Sequence, residues 1–209
     1  MFRFLCLLCL CLCLPLSAAA AFPLPEVDAV YAERDPAAFA LHPRPGDNAR
    51  FRRDLNAAIR KDPGNSAALV QRAYLLQASG DIDEGDRDFL RVLELTGADP
   101  INRRRAFWSL GWSAFNRGEP EHALAYWRQA GELHGGRPFW YPYTVAVGLW
   151  AQGDRETALA WYEAAVRSNP QWSQVEGVAI RTRNWRDRER QIVQAMFEAW
   201  TARSKSTGV

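Results

Sequence analysis

The chain has 209 residues, of which 48% are hydrophobic and 24% charged, a balance that fits one globular domain with an ordinary core and excludes disordered and fibrous classes. A formal net charge of +2 excludes the global basic field that draws a domain onto nucleic acid, so no nucleic-acid partner is expected.

Residues 1–21 start with a single cation, Arg3, run apolar over 4–16 and end in Ser17 and four alanines. This is the layout of a secretory signal peptide cut after Ala20 or Ala21, with an apolar run too short to span a bilayer. Cys6, Cys9, Cys11 and Cys13, the only cysteines, lie in that run, where cysteine interleaved with leucine is apolar filler rather than a metal ligand set. The expected mature chain therefore has no cysteine, no disulfide and no transmembrane span. It is expected to be exported, to the periplasm if the cell has an outer membrane and to the medium if not.

Residues 22–45 carry five prolines and allow only short helical pieces, near 27–33 and 36–41. This arm is either free or laid on the rest of the chain. From residue 46 the sequence repeats. Gly-acid dipeptides stand at Gly46, Gly80, Gly118 and Gly153, at intervals of 34, 38 and 35 residues, and prolines recur at Pro63, Pro100, Pro138 and Pro170. Glycine just past a helix takes the left-handed cap conformation without steric cost, and an acid after it suits the free amides of the next helix. Each dipeptide thus reads as a tight turn between two helices, and each proline as the end of a pair.

The packing positions recur as well. At five, nine and twelve residues past each glycine stand Phe51/Leu55/Ala58, Gly85/Phe89/Val92, Ala123/Trp127/Ala130 and Ala158/Tyr162/Ala165, a stripe for a second helix lying close on the first. The first helices carry the complement, clearest in "FWSLGWSA", where Phe107, Leu110, Gly111 and Ala114 share a face. With its period near 34 and its aromatic, leucine and small residues in the first helix and small, aromatic, small and proline in the second, residues 46–170 resemble the tetratricopeptide repeat (TPR) family. The resemblance implies an all-α, short right-handed superhelical solenoid of antiparallel helix pairs. Pro36, Pro43 and Pro45 leave the first unit as half a repeat, Gly85 stands where alanine is usual, and the loops near Pro100 and Pro138 are longer, so three to four repeats are expected.

Residues 171–203 are expected to cap the array, because Ile192, Val193, Met196, Phe197 and Trp200 form one apolar helix face and a terminal repeat needs its open side covered. Arg181, Arg183, Arg186, Arg188 and Arg190, interleaved with Asp187 and Glu189, read as a solvated helix face. Residues 204–209 are expected to be a disordered tail.

No catalytic grouping has diagnostic spacing. His42, His122 and His134 are unpaired, HExxH, GxSxG and P-loop patterns are missing, and Asp81/Asp83 and Asp86/Asp88 fall where helix starts favour negative charge. Neither an enzyme nor a metal or cofactor is expected.

A second apolar face remains. In TPR arrays the first helices line the concave side, and the resemblance implies a groove lined by Tyr74, Arg105, Trp108, Trp112, Phe115, Trp140, Tyr143 and Trp150, with Val70, Gln77 and Val147 in register. These aromatics are either core, covered by the arm or the C-terminal helix, or a surface for a partner. The second reading gives an exported TPR-type adaptor or scaffold that binds a protein partner in a cell-envelope assembly. Its alternative is a glycan-contacting accessory of envelope polysaccharide export or maintenance. Protein ranks above polysaccharide because this groove offers only Gln77 and Asn116 to grip hydroxyls.

Overall fold

The computed structural model describes residues 26–38, 48–95 and 97–206. Residues 1–21, read from sequence as a signal peptide, and Gly46 lie outside them. Among the described residues there are nine α-helices: α1 (Asn48–Lys61), α2 (Ser66–Ser79), α3 (Ile82–Glu94), α4 (Pro100–Arg117), α5 (Pro120–His134), α6 (Tyr141–Gln152), α7 (Arg155–Ser168), α8 (Val175–Thr182) and α9 (Asp187–Ser206). The closest packing joins α2 to α3, α4 to α5 and α6 to α7. The fold is therefore three full helix pairs preceded by the half-pair α1, with α8 and α9 closing the far end.

The turns arise as the sequence implies. Gly80, Gly118 and Gly153 cap their helices at φ of 94°, 85° and 92°, a region open to glycine and strained for other residues. The acids after them divide. Asp154 accepts a hydrogen bond from the Thr157 amide at 3.1 Å, whereas Asp81 and Glu119 occupy the N-cap position without a side-chain cap bond. Their carboxylates turn instead to Ser79 Oγ and to Arg117 and His122.

The second-helix stripe forms the core. Phe89, Val92, Ala123, Trp127, Ala130, Ala158 and Tyr162 are all fully buried. The small residue opposite Trp127 is a spatial requirement. A Cβ on Gly111 would lie 2.3 Å from Trp127 Nε1, so α4 and α5 can approach this closely only with glycine there.

The ends are specific. Residues 26–38 lie on the solenoid: Tyr31 stacks on Tyr141 at 5.8 Å, Glu33 pairs with Pro138 in a single parallel bridge, and Pro36–Ala38 is a 3-10 turn against α4. The stretch 27–33 is thus a turn at 27–28, closed by Ala29 N on the Glu26 carbonyl, that leads without helix to the bridge at Glu33. Its amides are spent on the solenoid, Tyr31 N on Ser168 Oγ and Glu33 N on the Arg137 carbonyl. At the other end α9 packs on α7 and α6 through Val193, Met196 and Phe197, and it continues to Ser206, through part of the expected tail. Among the described residues no helix is long and apolar enough to cross a membrane.

Candidate functional site

One face of α4 presents Trp108, Ser109, Trp112, Ser113 and Asn116, spaced as a helical stripe on the concave side. This face forms one wall of a cleft of about 750 Å³. Tyr74, Gln77 and Ala78 of α2 form the opposite wall, with Asp83 from α3 beside them. Tyr143 of α6 and the turn between α8 and α9, with Asn184, Trp185 and Arg186, shut one end, and Ala38 of the arm borders another.

The cleft floor is polar and internally satisfied. Asp86 of α3, 6% exposed, accepts hydrogen bonds from Arg117 Nη1 at 2.6 Å, Ser113 Oγ at 2.8 Å and Gln77 Nε2 at 2.9 Å. The Arg117 guanidinium is raised above its ordinary pKa chiefly by this hydrogen bond, so it remains a cation. Asp88 is likewise buried, in a bidentate pair with Arg72. Asp86 and Asp88 therefore fasten α3 to its neighbours, and the helix-start role expected for them does not hold. The reason is their place on the two flanks of the buried Gly85 and Phe89 stripe, where Asp86 reaches α4 and Asp88 reaches α2. On the α2 wall, Ser109 Oγ donates to Tyr74 Oη at 3.2 Å, and burial raises the Tyr74 pKa.

The aromatics separate into lining and support. Trp108 and Trp112 are half-buried and line the cleft. They meet edge to face with ring centres 5.9 Å apart. Trp140, expected in the lining, is fully buried behind Trp108 at 4.6 Å, and its indole donates to Asp35 at 3.0 Å. Asp35 also accepts from Arg104 at 3.1 Å. Phe115, expected beside Trp112, is fully buried under the Arg188 guanidinium, 5.3 Å from its ring centre. Val70 and Val147 are core, while Tyr74 and Tyr143 keep only an edge at the cleft. Arg105 is not in the lining and donates to Asn102. Trp150 also lies outside the cleft, beneath Arg155 at 3.9 Å. Four of the eight expected positions thus meet in one cleft: Tyr74, Trp108, Trp112 and Tyr143.

Both of the covers considered for the aromatic face are present, each over a different part. The arm covers Trp140, and the C-terminal segment covers Phe115 and Tyr143. Trp185 closes that end, 5.0 Å from Trp112, 5.6 Å from Tyr143 and 6.4 Å from Trp172. Glu189 holds the segment in place by accepting from Asn116 Nδ2 at 2.9 Å and from its own helix start at Arg186 N, 2.8 Å. Trp185 and Glu189 fall within the stretch read from sequence as a solvated arginine face, where Trp185 is the one large apolar residue among charges. Arg181 stacks over Trp172 at 5.4 Å, and burial lowers its pKa.

The described residues hold no group of three or more His, Cys, Asp or Glu that could bind a metal ion. Paired helices joined at left-handed glycines, with an aromatic cleft on the first-helix side, define a TPR-type solenoid. No family model and no curated protein matches the sequence. Among solved structures the fold is similar to that of YrrB, described as a TPR protein with an unusual peptide-binding site, at 15% identity and a TM-score of 0.53 over 73% of this chain and 77% of that one. It is also similar to MamA, at 15% identity and a TM-score of 0.52 over 80% of this chain and 99% of that one. At such identities the likeness concerns the fold.

Proposed function

We propose that this chain is a binding scaffold, an exported TPR-type adaptor that takes a peptide segment of a protein partner into the cleft between α2 and α4. The observation that carries the reading is the pair Trp108 and Trp112. They are half-buried, held edge to face, and flanked by serine, glutamine and asparagine in a cleft of ligand size. Rigid aromatic faces with nearby hydrogen-bonding groups suit an extended or proline-containing peptide, whose apolar side chains stack while its backbone is satisfied. The peptide-binding description of YrrB, a structural neighbour, is in keeping with this use of the fold. Export and a role in envelope assembly rest on the signal-peptide layout of residues 1–21. A glycan in the same cleft is the second reading, favoured by Asn184 and Asp83 in the lining, which add to the Gln77 and Asn116 that the sequence offered for gripping hydroxyls.

Crosslinking in envelope extract with the wild type and a Trp108→Ala, Trp112→Ala pair tests the reading. Protein adducts lost in the pair at unchanged helicity are expected. Equal adducts from both would refute the cleft, and glycan-array binding lost in the pair would favour the second reading. Cell fractionation tests export, which a wholly cytoplasmic chain would contradict.

A further inference from the structure

The cleft is closed at the α8–α9 end by Trp185 and bordered on the α2 side by the exposed Ala78. Ala78 also borders a second groove, of about 560 Å³, between α1 and α2 at the open start of the solenoid. Arg52 and Arg53 line that groove with Asn48, Asn56, Leu75 and Ser79. The two concavities thus adjoin at Ala78, and a chain lying in the cleft reaches α1 by crossing that residue.

Charge along this path is unbalanced. Among the lining residues Arg52, Arg53, Arg117 and Arg186 stand against two carboxylates, Asp83 and Glu189. Both oxygens of Glu189 already accept hydrogen bonds within the protein. Arg117 is committed to Asp86 and Glu119, so the excess lies with the others. The guanidinium groups of Arg53 and Arg186 make no hydrogen bond or ion pair among the described residues, and that of Arg52 has only Asp81 at 3.9 Å with both side chains half exposed. An ion pair so long and so wet is easily exchanged for a better one.

Resting on the peptide reading above, we propose that the partner segment is acidic on one side of its apolar anchor. The anchor sits on Trp108 and Trp112, the chain leaves over Ala78, and aspartate or glutamate side chains pair with Arg52 and Arg53. The exposed guanidinium groups of Arg52 and Arg53 select sequence and speed encounter, while the indoles hold the anchor.

A random dodecamer library displayed on phage, panned against the full chain, tests this. Peptides selected by the wild type should place Asp or Glu to one side of an aromatic or aliphatic residue. A synthetic copy of the best of them should bind about tenfold more weakly to an Arg52→Ala, Arg53→Ala variant, since each exposed pair contributes about two- to fivefold. An Arg52→Glu, Arg53→Glu variant should select Lys or Arg instead, a gain that misfolding cannot mimic. Selection without acidic bias, or affinity unchanged by the alanine variant while the Trp108→Ala, Trp112→Ala pair abolishes it, overturns the proposal and leaves the peptide cleft standing. Failure to enrich any peptide on the wild type overturns both.

Discussion

Replacing Gly111 by alanine tests the packing of α4 on α5 at its tightest point. The added Cβ would meet Trp127 Nε1 at 2.3 Å, Cδ1 at 2.5 Å and Cε2 at 2.9 Å. Restoring ordinary contact requires the indole to move by roughly 1 Å in a close-packed interior. Trp127 has no room for this, being fully buried with Trp112 at 4.9 Å and Phe115 at 6.1 Å. Overpacking costs about 1–3 kcal/mol, whereas exchanging glycine for alanine within a helix gains about 1 kcal/mol. With three contacts below 3.0 Å the clash is placed at the upper end, giving a net loss of about 2 kcal/mol, or roughly 4–8 °C in Tm. Urea unfolding followed by circular dichroism measures it, and the same substitution in a Trp127→Leu background should cost at least about 1 kcal/mol less. A Gly111→Ala protein more stable than wild type would refute the close approach of α4 and α5.

Other consequences follow from named contacts. Asp35→Asn removes the charge that Arg104 and the Trp140 indole share, so about 2–3 kcal/mol should be lost, with faster proteolysis of residues 26–38. Unchanged proteolysis would show that the arm is held elsewhere. Trp185→Ala should open the closed end of the cleft and admit longer peptides than the wild type binds, measurable by fluorescence polarisation with a peptide length series. Burial raises Tyr141, Tyr143 and Tyr162 above their ordinary value of 10.0. Because the folded pKa is the higher one, their contribution is fully present below pH 10 and falls as pH rises beyond it. Each should lower stability by up to about 1.4 kcal/mol per pH unit there, so the urea midpoint should hold from pH 8 to about 9.5 and then drop. Native-state tyrosine absorbance titrating near 10 for all six tyrosines would contradict their burial.

The helix pairs were legible in the sequence because their determinants are local. A left-handed glycine, a proline stop and a small residue opposite a ring each act within about one repeat, and Gly80, Gly118, Gly153 and Trp127 stand where the period implies. The candidate site was legible only on α2, α4 and α6. Phe115 and Trp140 belong by register to the concave side, yet Arg188 covers one and Asp35 the other, across 73 and 105 residues of chain. No repeat pattern encodes contacts at that separation. Trp185 escaped notice for a related reason. It lies in a turn between two helices, where periodicity says nothing, and only its isolation among arginines marked it. Asp86 and Asp88 show the converse, in that a helix-start position explains an acid locally while the buried bonds to Arg117 and Arg72 come from neighbouring helices.

The central claim is that the cleft lined by Trp108 and Trp112 is the binding surface. All nine tryptophans can be labelled as 5-fluorotryptophan and assigned by single substitution, and the fluorine spectrum then followed as a selected acidic dodecamer is added. The resonances of Trp108, Trp112 and Trp185 should move with saturation while those of the fully buried Trp161 and of Trp150 outside the cleft stay in place. Movement at Trp150 with Trp108 and Trp112 unchanged would contradict it.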